Sequence, residues 1–313
     1  MALLEVNNLH TYFDTKKGLV KAVNGVSFSV DEGRTLGIVG ESGSGKSQTA
    51  MSILQLFHAN QKIYDGSITY DGKVISDLKP KDLRSIRGND ISMIFQEPMT
   101  SLNPVFTVEK QINEVLMLHQ DLSKKEASKK ALEMLKSVKI ANPERVMKSY
   151  PFQLSGGMSQ RVMIAMALAC NPRVLIADEP TTALDVIIQA DILKLMNDLK
   201  HEFNTAILFI THDLGVINEM ADDVIVMYGG KVVEAAPIKS LFDNPIHPYT
   251  KRLIAAFLRT DIASSKSENK ASDDFYSAEN DTFTFANFRN GEHDLDWVKV
   301  DDNHHVAVTL TAK

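Results

Sequence analysis

The sequence predicts an α/β fold built on a mostly parallel sheet. Short apolar runs of strand length recur at residues 35–39, 91–95, 174–177, 206–210 and 224–228, and helical stretches alternate with them. The run Thr35–Val39 also feeds directly into a glycine-rich loop and a helical pattern. Parallel strands are covered on both faces by their crossover helices, so they read as continuous apolar runs.

Taken in order, residues 3–9 and 26–30 read as short strands, the second alternating at Val26, Phe28 and Val30. Asp31-Glu32-Gly33 is a turn before the strand 35–39. Between about residues 100 and 150 the pattern becomes helical, over 108–117 and 124–138. Apolar residues fall at Ala127, Ala131, Leu132, Leu135 and Val138, and Ser123 with Glu126 forms a capping box. We read this stretch as a helical insertion in the α/β core; ordinary crossover helices are the alternative. After Thr260 the chain is rich in Ser, Asp, Asn and Lys. Phe275, Tyr276, Phe283, Phe285, Phe288 and Trp297 argue against a bare linker there. A small appended element or a tail packed on the body is expected.

A chain of 313 residues, 44% apolar and 24% charged, is long enough for one sizeable core with a smaller subdomain. The net charge of -6 is unevenly placed: residues 261–313 hold 11 acidic and 5 basic side chains, which leaves 29 of each sign elsewhere. A neutral body with an acidic tail has no field to attract nucleic acid. The single cysteine, Cys170, excludes an intrachain disulfide and a cysteine-built metal site, and a cytosolic compartment is expected. The first residues lack the pattern of a secretory signal. No apolar segment approaches the roughly 20 residues needed to span a bilayer, so membrane association is expected to come through a partner.

Gly40-Glu41-Ser42-Gly43-Ser44-Gly45-Lys46-Ser47 is a complete phosphate-loop pattern between a strand and a helix. Glycines let backbone N–H groups turn inward around phosphate oxygens. Lys46 is placed to reach the β- and γ-phosphates, Ser47 to join a magnesium shell, and the helix beginning near Ser47 adds its positive end.

Val174-Leu175-Ile176-Ala177-Asp178-Glu179 is an apolar strand ending in two carboxylates. Asp178 is expected to hold magnesium, directly or through water, and Glu179 to polarise an attacking water as general base. A pair of surface acids capping a strand is the alternative. The phosphate loop favours the first reading, because both motifs can meet at the carboxyl ends of neighbouring strands. His212 follows another strand and suits the γ-phosphate or the hydrolytic water; alone it would more often be a structural histidine. Gln96, after the strand 91–95, is a candidate for the metal or the water.

Leu154-Ser155-Gly156-Gly157, followed by Gln160-Arg161, is a second glycine-rich anion nest before a helix. With it the chain resembles the nucleotide-binding subunit of an ATP-binding-cassette transporter over about residues 3–259. That resemblance implies a P-loop NTPase core with an N-terminal antiparallel β element and an inserted helical subdomain at about 100–160. Residues 260–313 are left as an extension. It implies ATP and Mg2+ as ligands, with Gly40, Ser42, Gly43, Ser44, Gly45, Lys46, Ser47, Gln48 and Asp178 on the nucleotide. It matches Gln96 to the Q-loop and Ala183-Leu184-Asp185 to the D-loop. His212 matches the switch histidine, and Phe13, with Tyr12 beside it, the aromatic on adenine. Ser155, Gly156, Gly157 and Met158 would close on a nucleotide held by a partner, and Ser47, Gln96 and Asp178 form the expected metal set.

Residues 95–104 and His247-Pro248-Tyr249-Thr250 further resemble peptide, dipeptide and nickel importers. Met158 stands where the wider superfamily commonly has glutamine, and peptide-importer ATPases of one of the two paired types share it. Peptide import is the reading favoured, with nickel or another small solute as the alternative. The implied partners are a related ATPase in a heterodimer, two transmembrane permease subunits and a solute-binding protein. The implied location is the cytoplasmic face of the cell membrane. Many relatives carry a cysteine cluster after the His-Pro-Tyr-Thr element that is associated with an iron-sulfur centre. No cysteine follows Cys170, so no iron-sulfur cluster is expected.

Overall fold

The computed structural model describes residues 2–182, 184–263 and 297–307. β1 (Ala2–Thr15) and β2 (Gly18–Asp31) form a long hairpin that closes at the Thr15–Gly18 pair. β3 (Thr35–Val39) is buried along its whole length and leads through the phosphate loop into α1 (Lys46–Ile53). β4 (Gln61–Tyr70) pairs with β1, and β5 (Lys73–Val74) with β4, giving an antiparallel sheet in the order β2-β1-β4-β5. The short α2 (Pro80–Leu83) leads to β6 (Ile91–Ile94).

The helical insertion then begins, with α3 (Pro98–Ser101), α4 (Val108–Gln120), α5 (Lys124–Ser137) and α6 (Pro143–Met147). Thr107 caps α4, and Ser123 and Glu126 form the expected reciprocal capping box on α5. Ile112 and Leu116 of α4 share one apolar core with Ala127, Ala131 and Leu135 of α5. α7 (Gly156–Leu168) joins the insertion to the sheet, because Val162, Ile164 and Ala165 lie in the same core as Leu175 and Phe209.

β7 (Val174–Asp178), α8 (Val186–Phe203), β8 (Ala206–Thr211), α9 (Leu214–Met220) and β9 (Asp223–Tyr228) continue the α/β alternation. β10 (Lys231–Pro237), α10 (Ile238–Asp243) and α11 (Pro248–Ala263) follow, and β11 (Trp297–Lys299) and β12 (His305–Ala307) complete the described chain. The central sheet runs β11-β12-β10-β9-β3-β8-β7-β6. From β9 to β6 every pairing is parallel; β10, β12 and β11 add an antiparallel edge.

Successive residues of these strands face opposite layers. Val174, Ile176, Leu208 and Ile210 pack toward α1 and the antiparallel sheet, whereas Leu175, Ala177, Ile207 and Phe209 pack toward the helices. Both layers are apolar, which is why the parallel strands show no polar alternation.

The phosphate-loop strand and the carboxylate strand are not adjacent as expected, because β8 lies between β3 and β7. The division expected at residue 260 falls inside α11, and residues 297–307 extend the central sheet. Phe275, Tyr276, Phe283, Phe285 and Phe288 lie outside the described residues.

Candidate nucleotide site

Four neighbouring parallel strands, β3, β8, β7 and β6, end side by side. Their carboxyl ends deliver the phosphate loop, His212, Glu179 and Gln96 to one cleft of about 660 Å³, with Asp178 behind its wall, bonded to Ser47. Open α/β sheets place ligand sites at such strand ends.

The loop is shaped for close approach of a ligand to backbone. Gly45 has φ 104°, and a Cβ there would stand 2.4 Å from the Ala22 carbonyl oxygen. Gly43 has φ 81° and faces open space. α1 has no side-chain N-cap, so its first amide groups point outward without an internal acceptor. Ser44 is buried, and its hydroxyl has no partner among the described residues. Lys46 Nζ donates to the carbonyls of Gly40 at 2.8 Å and Glu41 at 2.9 Å. Burial pushes the Lys46 ammonium below its ordinary pKa, while Glu179, Asp178 and Glu41 pull it back up. Uncapped amides, an orphan hydroxyl and a buried ammonium together fit a polyphosphate.

Ser47 Oγ donates to Asp178 Oδ1 at 3.0 Å, which sets two hard oxygen ligands side by side. Burial raises the Asp178 carboxyl to about 6, and Glu179 adds to that rise, whereas the Ser47 hydrogen bond and Lys46 oppose it. Among the described residues, no three His, Cys, Asp or Glu side chains group as a metal site. Any cation here would depend on Ser47, on water and on the phosphates themselves.

Glu179 sits just beyond β7 with a left-handed backbone, φ 47°, and its N–H donates to the Ile210 carbonyl at 2.9 Å. The left-handed turn costs about 1–2 kcal/mol in a residue with a side chain and swings the carboxylate over the cleft. Three groups converge on its Oε2: Thr182 Oγ1 at 2.9 Å, His212 Nδ1 at 3.1 Å and Gln96 Nε2 at 3.2 Å. Thr182 has no counterpart in the sequence reading, although its hydroxyl three residues after a strand-end carboxylate was the available signal. Tyr249 and Leu253 of α11 were also missed as site components. The Tyr249 hydroxyl accepts the Glu41 N–H at 2.8 Å, and Leu253 lines the cleft.

The two aromatic residues separate. Ser52 of α1 donates to Thr11 Oγ1 at 2.9 Å, so Thr11 faces α1, and the Phe13 ring lies 6.3 Å from that of His58. Opposite Phe13 on β4 stands Gln61, whose Nε2 donates to Gln48 Oε1 at 2.7 Å. Tyr12 is buried, with its ring 4.9 Å from that of Tyr64 and its hydroxyl donating to Asn24 at 2.8 Å.

Ser155 caps α7 by accepting the Met158 N–H at 3.3 Å, and neither it nor Gly156, Gly157 and Met158 lines the cleft. Gly157 packs against α8, where a Cβ would meet Ile188 Cγ2 at 3.0 Å. Asp185 caps α8 through the Ile188 N–H at 3.0 Å, and beside it Val186 and Ile187 are 81% and 79% exposed. Ala183 lies outside the described residues.

Residues 23–182 match the ABC transporter family, and residues 233–281 match the oligopeptide/dipeptide transporter C-terminal region. The oligopeptide transport ATP-binding protein AppD of Bacillus subtilis is 58% identical over 81% of this chain and 78% of that protein. OppD of Salmonella typhimurium, of the same description, is 53% identical over 83% of this chain and 77% of its own length. A dimeric ATP-binding cassette solved in a post-hydrolysis state with ADP and Pi superposes with a TM-score of 0.68 at 31% identity. That likeness covers 75% of this chain and 98% of the solved one. A strand-end site built for polyphosphate and a family match over the same residues lead to one conclusion: the chain belongs to the ABC transporter family as an ATP-binding subunit.

Proposed function

We propose that this chain is an ATP-hydrolysing motor subunit of a peptide importer. The convergence of Gln96, Thr182 and His212 on Glu179 Oε2, beside the phosphate loop, carries the hydrolytic half of the reading. In this scheme Lys46 and the amides of Gly43 to Ser47 hold the phosphates, and Phe13 stacks on the adenine. Ser47 and Asp178, with Gln96 nearby, hold Mg2+, which would neutralise charge developing on the phosphate oxygens. Glu179 accepts the proton of the attacking water, while His212 and Thr182 orient its carboxylate.

The signature residues Ser155, Gly156, Gly157 and Met158 stand away from this cleft, as a second copy of the site would require. They are placed to close over nucleotide held by a partner cassette. Exposed Val186 and Ile187 beside Asp185 suit that interface. The dimeric neighbour bound to ADP and Pi supports such a pairing. The partner is a related but different ATPase, by likeness to peptide importers in residues 95–104 and at Met158. Among the described residues no helix is long and apolar enough to cross a membrane. Family membership implies permease and solute-binding partners, and attachment through the permease places the subunit on the cytoplasmic face.

The named relatives transport oligopeptides, and the C-terminal region match is to oligopeptide/dipeptide transporters. Peptide as cargo rests on that likeness. The intact complex, isolated from its source membrane, tests both halves. Peptides retained by the solute-binding protein and two unlike ATPases by native mass spectrometry are expected. A retained nickel ion or other non-peptide solute would overturn the cargo, and two copies of this chain alone would overturn the heterodimer.

A further inference from the structure

A run of contacts links the C-terminal strand pair to the phosphate loop. His304, at the head of β12, is fully buried, and its Nε2 lies 2.7 Å from Glu234 Oε1 on β10. Glu234 is fully buried too, and its carboxylate accepts the N–H of Ile246 at 2.9 Å and of His247 at 3.0 Å. These amides belong to the segment that leads into α11. His247 Nδ1 then accepts the Tyr249 N–H at 3.2 Å; burial holds this imidazole well below its usual pKa, at about 4, so it stays neutral and able to accept. The Tyr249 ring packs 4.6 Å from that of Tyr228, and its hydroxyl accepts the Glu41 N–H at 2.8 Å. Arg252, nearly one turn later, lies 3.7 Å from the Glu41 carboxylate.

The order of these contacts matters. Glu41 is the second residue of the phosphate loop, upstream of the amides that would meet the phosphates. A loop with positive-φ glycines at Gly43 and Gly45 has little stiffness of its own. Fixing the Glu41 amide limits where the later ones can point. Glu234 cannot be spared cheaply, because its carboxylate accepts the part-buried Ile246 amide and the buried His247 amide. His304 is its side-chain partner, supplied from some 70 residues along the chain.

We propose that Tyr249 is a positioning residue of the nucleotide site, and that the buried Glu234–His304 contact holds it in place. The C-terminal strand pair thereby becomes part of the support of the phosphate loop. The proposal rests on ATP occupying that loop, so the test separates the two ideas.

ATPase KM and kcat, measured in the assembled full-length complex, decide it. Tyr249→Phe keeps the ring and removes only the hydroxyl. It is expected to raise KM for ATP roughly 3- to 10-fold, with kcat within about twofold. His304→Leu is expected to move KM the same way, and His304→Gln, which keeps a donor near Nε2, to restore it. The double variant Tyr249→Phe with His304→Leu should show less than the product of the two single effects, because both act on one strut. An unchanged KM in folded Tyr249→Phe overturns the proposal, whatever the His304 variants do. A Lys46→Ala variant that still binds ATP normally would instead overturn the nucleotide reading itself.

Discussion

His212 Nδ1 lies 3.1 Å from Glu179 Oε2, the same oxygen that Thr182 and Gln96 reach. An ionised carboxylate only accepts, so the contact requires the hydrogen on Nδ1. One carboxylate oxygen is thus held from three elements, the ends of β6 and β8 and the turn after β7. Glu179 is the group to be positioned, and the other three residues position it.

Replacing Glu179 by Gln keeps the shape and removes the base. MgATP binding is expected to persist while hydrolysis slows by about 10²- to 10⁴-fold, trapping a closed ATPase pair. Single-turnover hydrolysis in the assembled complex reads this directly. Turnover at the wild-type rate would take Glu179 out of the role.

Thr182→Val should lower kcat roughly 3- to 10-fold with little change in KM, since it removes one hydrogen bond to Glu179 and no ligand to the phosphates. Thr182→Ser should recover the rate. A defect in KM alone would place Thr182 on the substrate instead.

Asp178 gives the site a pH dependence. Its carboxyl is raised to about 6 by burial, and only the ionised form holds a cation well. Mg2+-dependent ATP affinity should therefore be full above pH 6 and fall as the pH drops through it, approaching about tenfold per unit below. Calorimetry near pH 6 in buffers of different ionisation enthalpy should detect proton release on MgATP binding. A pH-independent affinity with no released proton would contradict a raised Asp178 carboxyl that loses its proton on holding the metal.

The adenine platform distinguishes two adjacent aromatics. Phe13→Ala should weaken ATP binding by about tenfold, within the usual range for loss of base stacking. Tyr12→Phe should leave affinity within about twofold and lower stability by about 1 kcal/mol, because it strips a buried partner from Asn24. Fluorescent-nucleotide titration and thermal melts on the same samples separate these effects. The reverse pattern would make Tyr12 the platform.

Motifs with strict chemistry were legible in the chain, and long irregular strands were not. Thr35–Val39 matches its predicted bounds because both faces are buried and no polar residue interrupts it. The N-terminal strands read as residues 3–9 and 26–30 but run over Ala2–Thr15 and Gly18–Asp31. Register shifts between Val6 and Leu9 and between Thr11 and Tyr12 break the two-residue period there. Only the three-dimensional strand order showed that β8 separates the phosphate loop from Asp178, since β8 follows both in sequence. The contacts of Thr182 and Tyr249 depend on a left-handed turn at Glu179 and on the packing of α11. Neither leaves a periodic trace. The composition after Thr260 predicts a small appended element or a tail packed on the body, and residues 297–307 form two strands with Val298 and Val306 buried at the sheet edge.

ATP turnover at this site is expected to drive peptide across a membrane. The most direct test is uptake of a labelled peptide into proteoliposomes that hold the intact complex, with its solute-binding protein on the substrate side and MgATP on the other. Accumulation is expected with the wild-type chain and none above background with Glu179→Gln, although that variant still binds nucleotide. Peptide accumulation at the wild-type rate with Glu179→Gln, or wild-type ATP turnover with no peptide moved, would contradict that expectation.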